Sequence, residues 1–253
     1  MTGMKSVLVT GSAKRIGRQL ALDLAGEGWD VAVHCNASLD EAQEVAALIR
    51  GLGRRAVIVR GDLSEADVPE RLIAEASQGL NGLTCLINNA SLFEPDEVGS
   101  ISQSSWARHS DTNLRAPVFL SQAFARQLPG DHEGNIISII DQRVWKLTPR
   151  FFSYTMSKSG LWTATRTLAQ ALAPRIRVNA IGPGPALPSV RMDQAEFEKQ
   201  SRLTLLGRGT SPAEISVAVK FILSQPALTG QMIALDGGQH LVWQTPDVME
   251  VSE

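Results

Sequence analysis

The chain has 253 residues, of which 43% are hydrophobic and 20% are charged, a composition that supports a large soluble core. Its formal net charge of -2 offers no basic field, so we expect neither nucleic acid nor an anionic membrane as a partner. No apolar run approaches the roughly 20 residues that span a bilayer, and we expect no secretory leader. We therefore expect a cytoplasmic protein, in which Cys35 and Cys85 are buried free thiols.

Short runs rich in Val, Ile and Leu alternate with longer helical stretches along almost the whole chain. The predicted strands are residues 6–10, 30–35, 55–60, 83–88, 135–140, 177–181 and 231–235. The predicted helices are residues 16–26, 39–51, 65–78, 102–128, 153–172 and 211–224. Apolar strands are covered on both faces, and repeated β–α units require a parallel sheet with right-handed crossovers. We predict a single α/β domain at residues 1–243, a Rossmann-type doubly wound parallel sheet of about seven strands with helices on both faces.

Two segments depart from this alternation. Residues 182–209 contain three prolines followed by a short polar helical stretch, and a long irregular insert in a compact domain is usually functional. Residues 244–253 form a predicted polar C-terminal tail, which frays or packs on a neighbouring subunit. The last helix has a clear predicted start, with Ser211 as its cap, Pro212 in its first turn and Glu214 at its third position.

Tyr154 and Lys158 lie four residues apart in the sequence SYTMSK, which places both side chains on one face of a helix. A phenol alone is a poor acid, with an ordinary pKa of about 10. A fixed ammonium nearby favours the phenolate and brings proton exchange closer to neutral pH. The pair predicts a proton donor, although the same spacing occurs in many helices.

The turn TGSAKRIG follows the first strand and opens the first helix. A dinucleotide pyrophosphate needs backbone amides, close approach and a helix N-terminus, so glycines such as Gly11 and Gly17 are favoured here. Alone, a turn with two glycines also fits an ordinary strand–helix connection. Its place in a complete β–α series favours a dinucleotide site that includes Lys14, Arg15 and Ile16.

The glycine turn together with Tyr154 and Lys158 resembles the short-chain dehydrogenase/reductase family, over nearly the whole chain. The usual family pattern is Thr-Gly-x-x-x-Gly-x-Gly, and this chain has Arg15 at the middle glycine. Pteridine reductases and dihydromonapterin reductases carry the same arginine, which in them reaches the cofactor pyrophosphate and the pterin. A solvated basic turn is the alternative. The resemblance also implies a homotetramer or homodimer.

The end of the second strand favours NADP (NADPH) over NAD as the cofactor. An NAD-specific site has an acid there to hold the ribose 2′-hydroxyl, whereas Asp40 and Glu41 belong to the first turn of the next predicted helix. Pteridine reductases often have an arginine at the position of Ala37, so the phosphate site has one charge fewer than usual. The predicted cofactor residues in this region are Lys14, His34, Asn36 and Ser38.

The resemblance carries further cofactor positions onto this chain. They are Asp62 and Leu63 after the third strand, Asn89, Ala90 and Ser91 after the fourth, Tyr154 and Lys158, and Pro183 and Gly184 after the sixth. Without the family, Asn-Asn-Ala-Ser is only a turn after a strand. Asn113 falls where the family has an asparagine inside a long helix, whose backbone carbonyl holds a water beside the lysine. A polar surface residue is the alternative there.

Asp141 occupies the place where the family usually has its catalytic serine, with Ser138 as the only rival. Pteridine and dihydromonapterin reductases have an aspartate there, and a carboxyl group can exchange a proton with a ring nitrogen. In these enzymes the phenylalanine of Ala-Ser-x-Phe, here Phe93, stacks on the pterin, whereas core packing is the alternative. The predicted catalytic residues are Tyr154, Lys158, Asp141 and Asn113, and the predicted substrate residues are Arg15, Ser91, Phe93, Asp141 and Tyr154.

These residues favour an NADPH-dependent reductase that acts on a C=N bond of a small-molecule pterin of the dihydromonapterin, dihydrobiopterin or dihydrofolate type. One alternative is a carbonyl or 3-oxoacyl reductase of the same family, because its fold serves many substrates. Another is a non-catalytic NADP-binding sensor. The four histidines have no metal-ligand spacing with Cys, Asp or Glu, so we expect no metal.

Overall fold

The computed structural model describes residues 4–130, 132–189 and 191–245. These residues form one parallel sheet of seven strands in the order β3-β2-β1-β4-β5-β6-β7. The strands are β1 (Ser6–Val9), β2 (Asp30–Cys35), β3 (Ala56–Arg60), β4 (Cys85–Asn88), β5 (Gly134–Ile139), β6 (Ile176–Pro183) and β7 (Met232–Leu235). Strand β1 lies between β2 and β4, with Leu8 beside Ala32 and Leu86. The strand order proceeds outward in opposite directions from β1 and from β4, which leaves a crevice at the carboxyl ends of these two strands.

Helices cover both faces of the sheet, so the predicted doubly wound α/β architecture is confirmed. They are α1 (Arg15–Gly26), α2 (Leu39–Gly51), α3 (Val68–Leu80), α4 (Gln103–Ser110), α5 (Ala116–Gln127), α6 (Phe152–Leu172), α7 (Gln194–Arg202) and α8 (Pro212–Ser224). Alternate residues of β1 enter opposite hydrophobic clusters. Val7 and Val9 pack with α1, α2 and α8, whereas Leu8 packs with α3, α5 and α6.

The prediction of one uninterrupted helix at residues 102–128 is wrong. Helices α4 and α5 are joined by a π-helical segment, Asp111–Arg115, in which the Ala116 N–H donates to the Asp111 carbonyl. Such a segment adds one residue to a helical turn and often marks a functional site. A hydrophobic repeat of 3.6 residues cannot show this insertion, because the apolar face continues on either side of it.

Other helix boundaries follow from local hydrogen bonds. Helix α3 begins three residues later than the predicted residue 65, because Asp62 Oδ1 accepts from the Ser64 N–H at 2.8 Å and forms an Asx turn. The predicted start of α8 is confirmed, since Ser211 Oγ accepts from the Glu214 N–H at 3.2 Å. From residue 246 onward, the predicted tail lies outside the described residues.

Two further observations bear on the class of protein. Cys35 and Cys85 are both buried and free, as the sequence predicts. In the described part of the chain, no helix combines the length and the hydropathy that a bilayer crossing requires.

Candidate active site

The crevice at the carboxyl edge of the sheet holds two adjoining cavities. The smaller, of about 460 Å³, lies over β1, β2 and the loop after β3. The larger, of about 480 Å³, lies between the loop after β4, the loop after β5, the start of α6 and the segment after β6. The residues that line both cavities are Arg15, Ile16, Asn89 and Ser91. A ligand with two ends, such as a dinucleotide, fits this arrangement.

The predicted glycine turn forms the floor between β1 and α1. Gly11 has φ +63°, a left-handed conformation that favours glycine, and a Cβ on Gly17 would collide with the Gly11 carbonyl oxygen. Asn89 Nδ2 donates to the Thr10 carbonyl at 2.8 Å and ties this turn to the loop after β4. The N-terminus of α1 therefore faces the cavities with close backbone approach, which suits a pyrophosphate.

Arg15 is the first residue of α1 and has a φ of +55°, at the position where the family pattern has glycine. A left-handed non-glycine residue costs roughly 1 kcal/mol. Its Nη1 donates to the Pro188 carbonyl at 3.0 Å, so the side chain reaches from the cofactor turn to the segment after β6. The strained residue thus lies where the two cavities meet.

His34 lines the smaller cavity, but it does not fit the predicted role of a phosphate ligand. Its Nδ1 accepts from the Gly11 N–H at 2.9 Å, and its Nε2 donates to the Gly61 carbonyl at 3.1 Å. Burial lowers the pKa of His34 from 6.5 to about 4, so the ring is neutral near pH 7. His34 holds the glycine turn in place. Its position inside a predicted strand, after the apolar residues 31–33, is the sequence signal that indicates burial.

Lys14 lies at the mouth of the smaller cavity and is already paired with an acid. Its Nζ is 2.6 Å from Glu41 Oε1, and both side chains are half exposed. The sequence predicts Glu41 in the first turn of the next helix and not at the cofactor site, yet from this turn of α2 its side chain reaches Lys14 in the cofactor turn. Asn36 lines the cavity, whereas Ser38 precedes α2 and is not among the lining residues. A phosphate at this place would compete with Glu41 for Lys14.

The far end of the smaller cavity contains both predicted and unpredicted residues. Asp62, Leu63 and Ala90 line it, as the family positions imply. Arg108 on α4 and Thr112 in the π-helical segment also line it, and no sequence signal indicated either of them. An exposed helical arginine is ordinary in a sequence, and only the packing of α4 brings it near Asp62.

Asp141 and Tyr154 are hydrogen-bonded in the larger cavity. The Tyr154 hydroxyl donates to Asp141 Oδ2 at 2.9 Å, and the Arg143 N–H donates to Asp141 Oδ1 at 2.8 Å. Asp141 is brought there because β5 ends at Ile139 and a 3-10 turn begins at Gln142. The rival Ser138 lies within β5 and is 2% exposed. Asp141 is therefore the residue that faces Tyr154.

The prediction that Lys158 favours a Tyr154 phenolate is wrong for this structure. Burial and the Asp141 carboxylate raise the pKa of Tyr154 well above its ordinary value. The Lys158 Nζ donates to the Ile139 carbonyl at 2.8 Å and is 5.8 Å from the Tyr154 ring centroid. Burial lowers the pKa of Lys158 to about 8, and burial also raises the pKa of Asp141. Tyr154 therefore keeps its proton, as a donor must.

Asn113 is fully buried in the middle of the π-helical segment. Its Oδ1 accepts from the Leu92 N–H at 2.8 Å, and its Nδ2 donates to the Leu92 carbonyl at 2.9 Å and to Ser157 Oγ at 3.1 Å. The side chain thus links the loop after β4 to α6. These bonds exclude the alternative of a surface residue, whereas the water held by its carbonyl stays a prediction.

Phe93 lies beside Tyr154, but one of its ring faces is already covered. The Phe93 and Phe151 rings stack with centroids 4.3 Å apart and planes 8° apart. The Tyr154 ring meets Phe93 edge to face at 4.7 Å. Sequence reasoning missed Phe151, because a phenylalanine before an apolar helix is typical of a core. Its φ of +56° is a second strained backbone position at the site.

The segment after β6 closes the larger cavity from outside. Pro183 and Gly184 line it, and a Cβ on Gly184 would lie 2.7 Å from the Asp236 Cα, so the segment passes tightly over the turn after β7. Farther along, Arg191 Nη1 is 2.6 Å from Glu94 Oε2, and its Nη2 also donates to the Phe93 carbonyl. This segment therefore forms an outer wall joined to the loop after β4.

Comparison with known proteins identifies the family. The family model described as short chain dehydrogenase matches residues 5–200. The chain belongs to the short-chain dehydrogenase family. The 3-oxoacyl-[acyl-carrier-protein] reductase FabG of Staphylococcus aureus (strain Mu50 / ATCC 700699) is 30% identical over 94% of this chain and 98% of its own length. The family makes this protein an oxidoreductase, and it leaves many substrates open.

Solved structures of the family resemble this chain more strongly. FolM Alternative dihydrofolate reductase 1 from Brucella suis, in complex with NADP, is 50% identical with a TM-score of 0.94, over 98% of this chain and 99% of that one. The protein of the same name from Brucella canis, complexed with NADP, is 49% identical with a TM-score of 0.93, over 97% and 98%. The expected family resemblance to pterin-type reductases is therefore confirmed.

Proposed function

We propose that this protein is an NADPH-dependent reductase of a pterin C=N bond, with a substrate of the dihydromonapterin, dihydrobiopterin or dihydrofolate type. The hydrogen bond from Tyr154 to the Asp141 carboxyl group carries the proposal. A carboxyl group beside the proton donor suits a substrate with ring nitrogens, whereas a ketone has one oxygen to protonate. The likeness to two FolM Alternative dihydrofolate reductase 1 structures supports it.

The cofactor is NADP(H), and this chain's cavities fit it. The glycine turn and the α1 N-terminus suit a pyrophosphate, and the basic side chains of Lys14, Arg15 and Arg108 line the smaller cavity. When bound, NADPH supplies the hydride. We propose that Lys158, which lines the larger cavity, holds the nicotinamide ribose hydroxyls. NADPH should bind more tightly than NADH, and fluorescence titration of both at equal ionic strength tests this.

The proton that the reaction needs is supplied by side chains of this protein. A C=N bond that gains a hydride at carbon must gain a proton at nitrogen. Tyr154 retains its phenolic proton because burial and Asp141 raise its pKa, so it can donate. Burial also raises the pKa of Asp141, so its carboxylate can take up a proton from solvent and pass it to the Tyr154 oxygen at 2.9 Å, which restores both the phenol and the carboxylate. The pair thus delivers a proton to a ring nitrogen without a charged phenolate persisting.

The two alternatives meet specific obstacles. A carbonyl or 3-oxoacyl reductase of this family usually has a serine at the position of Asp141, and an ionised carboxylate only accepts hydrogen bonds, so it cannot replace the serine hydroxyl as a donor to a neutral carbonyl. A non-catalytic sensor has no need of the Tyr154, Lys158 and Asn113 arrangement, which is intact here.

The assembly is proposed from the family and from exposed apolar side chains. Phe119 on α5, Met156 on α6 and Phe221 on α8 are 47%, 47% and 51% exposed. Large apolar side chains on helices that flank a sheet suit contacts between subunits. We propose a cytoplasmic homotetramer or homodimer. Light scattering of the purified protein should give a mass of two or four chains, and a monomer would contradict it.

The substrate assignment is tested by NADPH consumption. Dihydromonapterin, dihydrobiopterin and dihydrofolate are compared with a simple ketone and a 3-oxoacyl thioester at equal enzyme concentration. We expect the best pterin to exceed both carbonyl substrates in kcat/KM by at least about tenfold, which corresponds to roughly 1.4 kcal/mol of transition-state binding. Efficient reduction of a carbonyl substrate with no measurable turnover of any pterin would overturn the proposal.

A further inference from the structure

Arg143 lies in the wall of the larger cavity with a guanidinium nitrogen that has no hydrogen-bond partner among the described residues. Its backbone N–H is used by Asp141 Oδ1. Its guanidinium forms no hydrogen bond or ion pair within the described residues, and the Nη1 nitrogen is shielded from solvent. The nearby acid Glu94 is taken by Arg191 at 2.6 Å. Within the described residues, no acceptor is hydrogen-bonded to this guanidinium, although its charge lowers the pKa of the nearby Asp141.

Two aromatic rings fix the position of the guanidinium. The Arg143 Cζ lies 4.8 Å from the centroid of Phe151 and 5.2 Å from the centroid of Phe93. Such cation–π contacts stabilise the charge but satisfy none of the N–H donors. Phe93 is also the ring that is predicted to stack on the substrate. A ligand that touches Phe93 therefore comes within reach of Arg143.

Partly buried donors without partners are costly, and a donor that the protein leaves without an acceptor can receive one from ordered water or from a bound ligand. A guanidinium presents several N–H groups in a planar fork that matches oxygen acceptors, above all carboxylates. Asp141 and Tyr154 already occupy the reacting end of the cavity with their mutual hydrogen bond. An acceptor for Arg143 is thus more naturally on a substituent of the ring than at the reacting nitrogen.

We propose that Arg143 is a specificity-determining residue, which donates hydrogen bonds to an oxygen acceptor on the substituent of the substrate's ring. The acceptor is a hydroxyl or a carboxylate group. This inference rests on the proposed pterin reduction and deepens it, because it selects dihydropterins with oxygenated substituents over those with plain alkyl ones.

The test compares the wild type with three variants, Arg143→Met, Arg143→Lys and Arg150→Met, on three substrates. Arg143→Met removes the guanidinium and retains an apolar side chain beside Phe93 and Phe151. Arg150→Met is the matched control, since Arg150 is exposed and does not line the larger cavity. The substrates are a dihydropterin with only a methyl substituent, dihydromonapterin with hydroxyls, and dihydrofolate with carboxylates. The KM, the kcat and the thermal midpoint are measured for each protein.

We expect Arg143→Met to raise the KM by roughly tenfold to a hundredfold for the substrates whose substituent oxygens Arg143 binds. The KM for the methyl compound should stay unchanged, and Arg143→Lys should restore part of the loss. A loss confined to dihydromonapterin identifies hydroxyl recognition, and one confined to dihydrofolate identifies carboxylate recognition. Arg150→Met should match the wild type throughout.

A different pattern overturns the inference. If Arg143→Met lowers kcat equally for all three pterins, Arg143 acts only on Asp141 and the specificity role is wrong. If it behaves as Arg150→Met does, Arg143 has no part in substrate binding. Should the variant fail to fold, the wild type alone decides, since it must bind an oxygenated substrate at least about tenfold more tightly than the methyl compound. A wild type that neither binds nor reduces any pterin contradicts the proposed function as well.

Discussion

The hydroxyl of Tyr154 donates a hydrogen bond to Oδ2 of Asp141 at 2.9 Å, and this carboxyl group is the nearest charge to the proton donor. The pair is coupled, because the ionised carboxylate raises the pKa of the phenol and burial raises the pKa of both. A coupled pair titrates as a unit rather than as two separate groups. The chemistry of the site therefore depends on Asp141 as much as on the more familiar tyrosine and lysine.

Removal of the phenolic hydroxyl tests the proton donor. Tyr154→Phe keeps the ring that meets Phe93 edge to face, so folding and NADPH binding should survive. The chemical step should slow by roughly 10² to 10⁴, the usual range for general acid catalysis. Single-turnover kinetics with saturating NADPH measure this directly. Turnover near that of the wild type, with normal cofactor binding, would show that another group supplies the proton.

The pKa of Lys158 predicts the alkaline limb of activity. Burial lowers this pKa to about 8, so the side chain is positive below that pH and neutral above it. If the ammonium is the form that binds ribose hydroxyls, kcat/KM should fall as the pH rises through about 8. Lys158→Arg keeps its charge over this range, and its profile should lose this limb. An identical limb in Lys158→Arg and in the wild type would assign it to another group.

The fold was largely predictable from sequence, because its signals are local and regular. The short apolar runs, separated by stretches with helical periodicity, predict both ends of every strand to within two residues of the ends in the structure. The π-helical segment around Asn113 was not predictable, since it depends on tertiary hydrogen bonds from that side chain to Leu92 and Ser157. A local sequence pattern predicts which face of a helix is buried, but it does not predict the extra residue that a π-helical turn contains.

His34 predicts a loss of stability in acid. Its folded-state pKa of about 4 lies below the ordinary 6.5, so the unfolded chain binds a proton in this window that the folded chain does not. The contribution is complete above about pH 6.5 and is lost as the pH falls to about 4, by roughly 3 kcal/mol. Urea unfolding of the wild type and His34→Gln across this window checks it. Parallel curves for the two proteins would show that His34 does not titrate this way.

Arg15 predicts a difference between two substitutions at one position. Both glycine and alanine lose the hydrogen bond to the Pro188 carbonyl, but glycine accepts the φ of +55° without strain, whereas alanine retains the strain. Arg15→Gly should therefore be more stable than Arg15→Ala by about 1 kcal/mol. Both variants should bind pterin and NADPH more weakly than the wild type. Equal unfolding free energies for the two variants would contradict the backbone argument.

The site was predictable where a residue type at a strand end carries its own meaning. Asp141 meets Tyr154 as expected, because Asp141 follows β5 at the carboxyl edge of the sheet and the first turns of α6, which carry Tyr154 and Lys158, lie beside that edge. The contacts of the charged residues around these three could not be predicted from the sequence. Glu41 turns back to Lys14, and Arg143 lies against two phenylalanines, which only the packing of the loops determines. The pKa of Tyr154 depends on every charged group that packs around it. An expectation of a lowered pKa that considers Lys158 alone is therefore wrong, because it leaves out burial and Asp141.

The most direct test of the account compares wild type with Asp141→Ser, on dihydromonapterin or dihydrobiopterin and on a small ketone. Serine can donate to a carbonyl but cannot exchange a proton as a carboxyl group does. We predict that kcat/KM for the pterin falls by at least about tenfold, that NADPH binding is unchanged, and that ketone reduction is unchanged or improved. Unchanged pterin turnover in Asp141→Ser would contradict the central claim that the aspartate marks a pterin substrate.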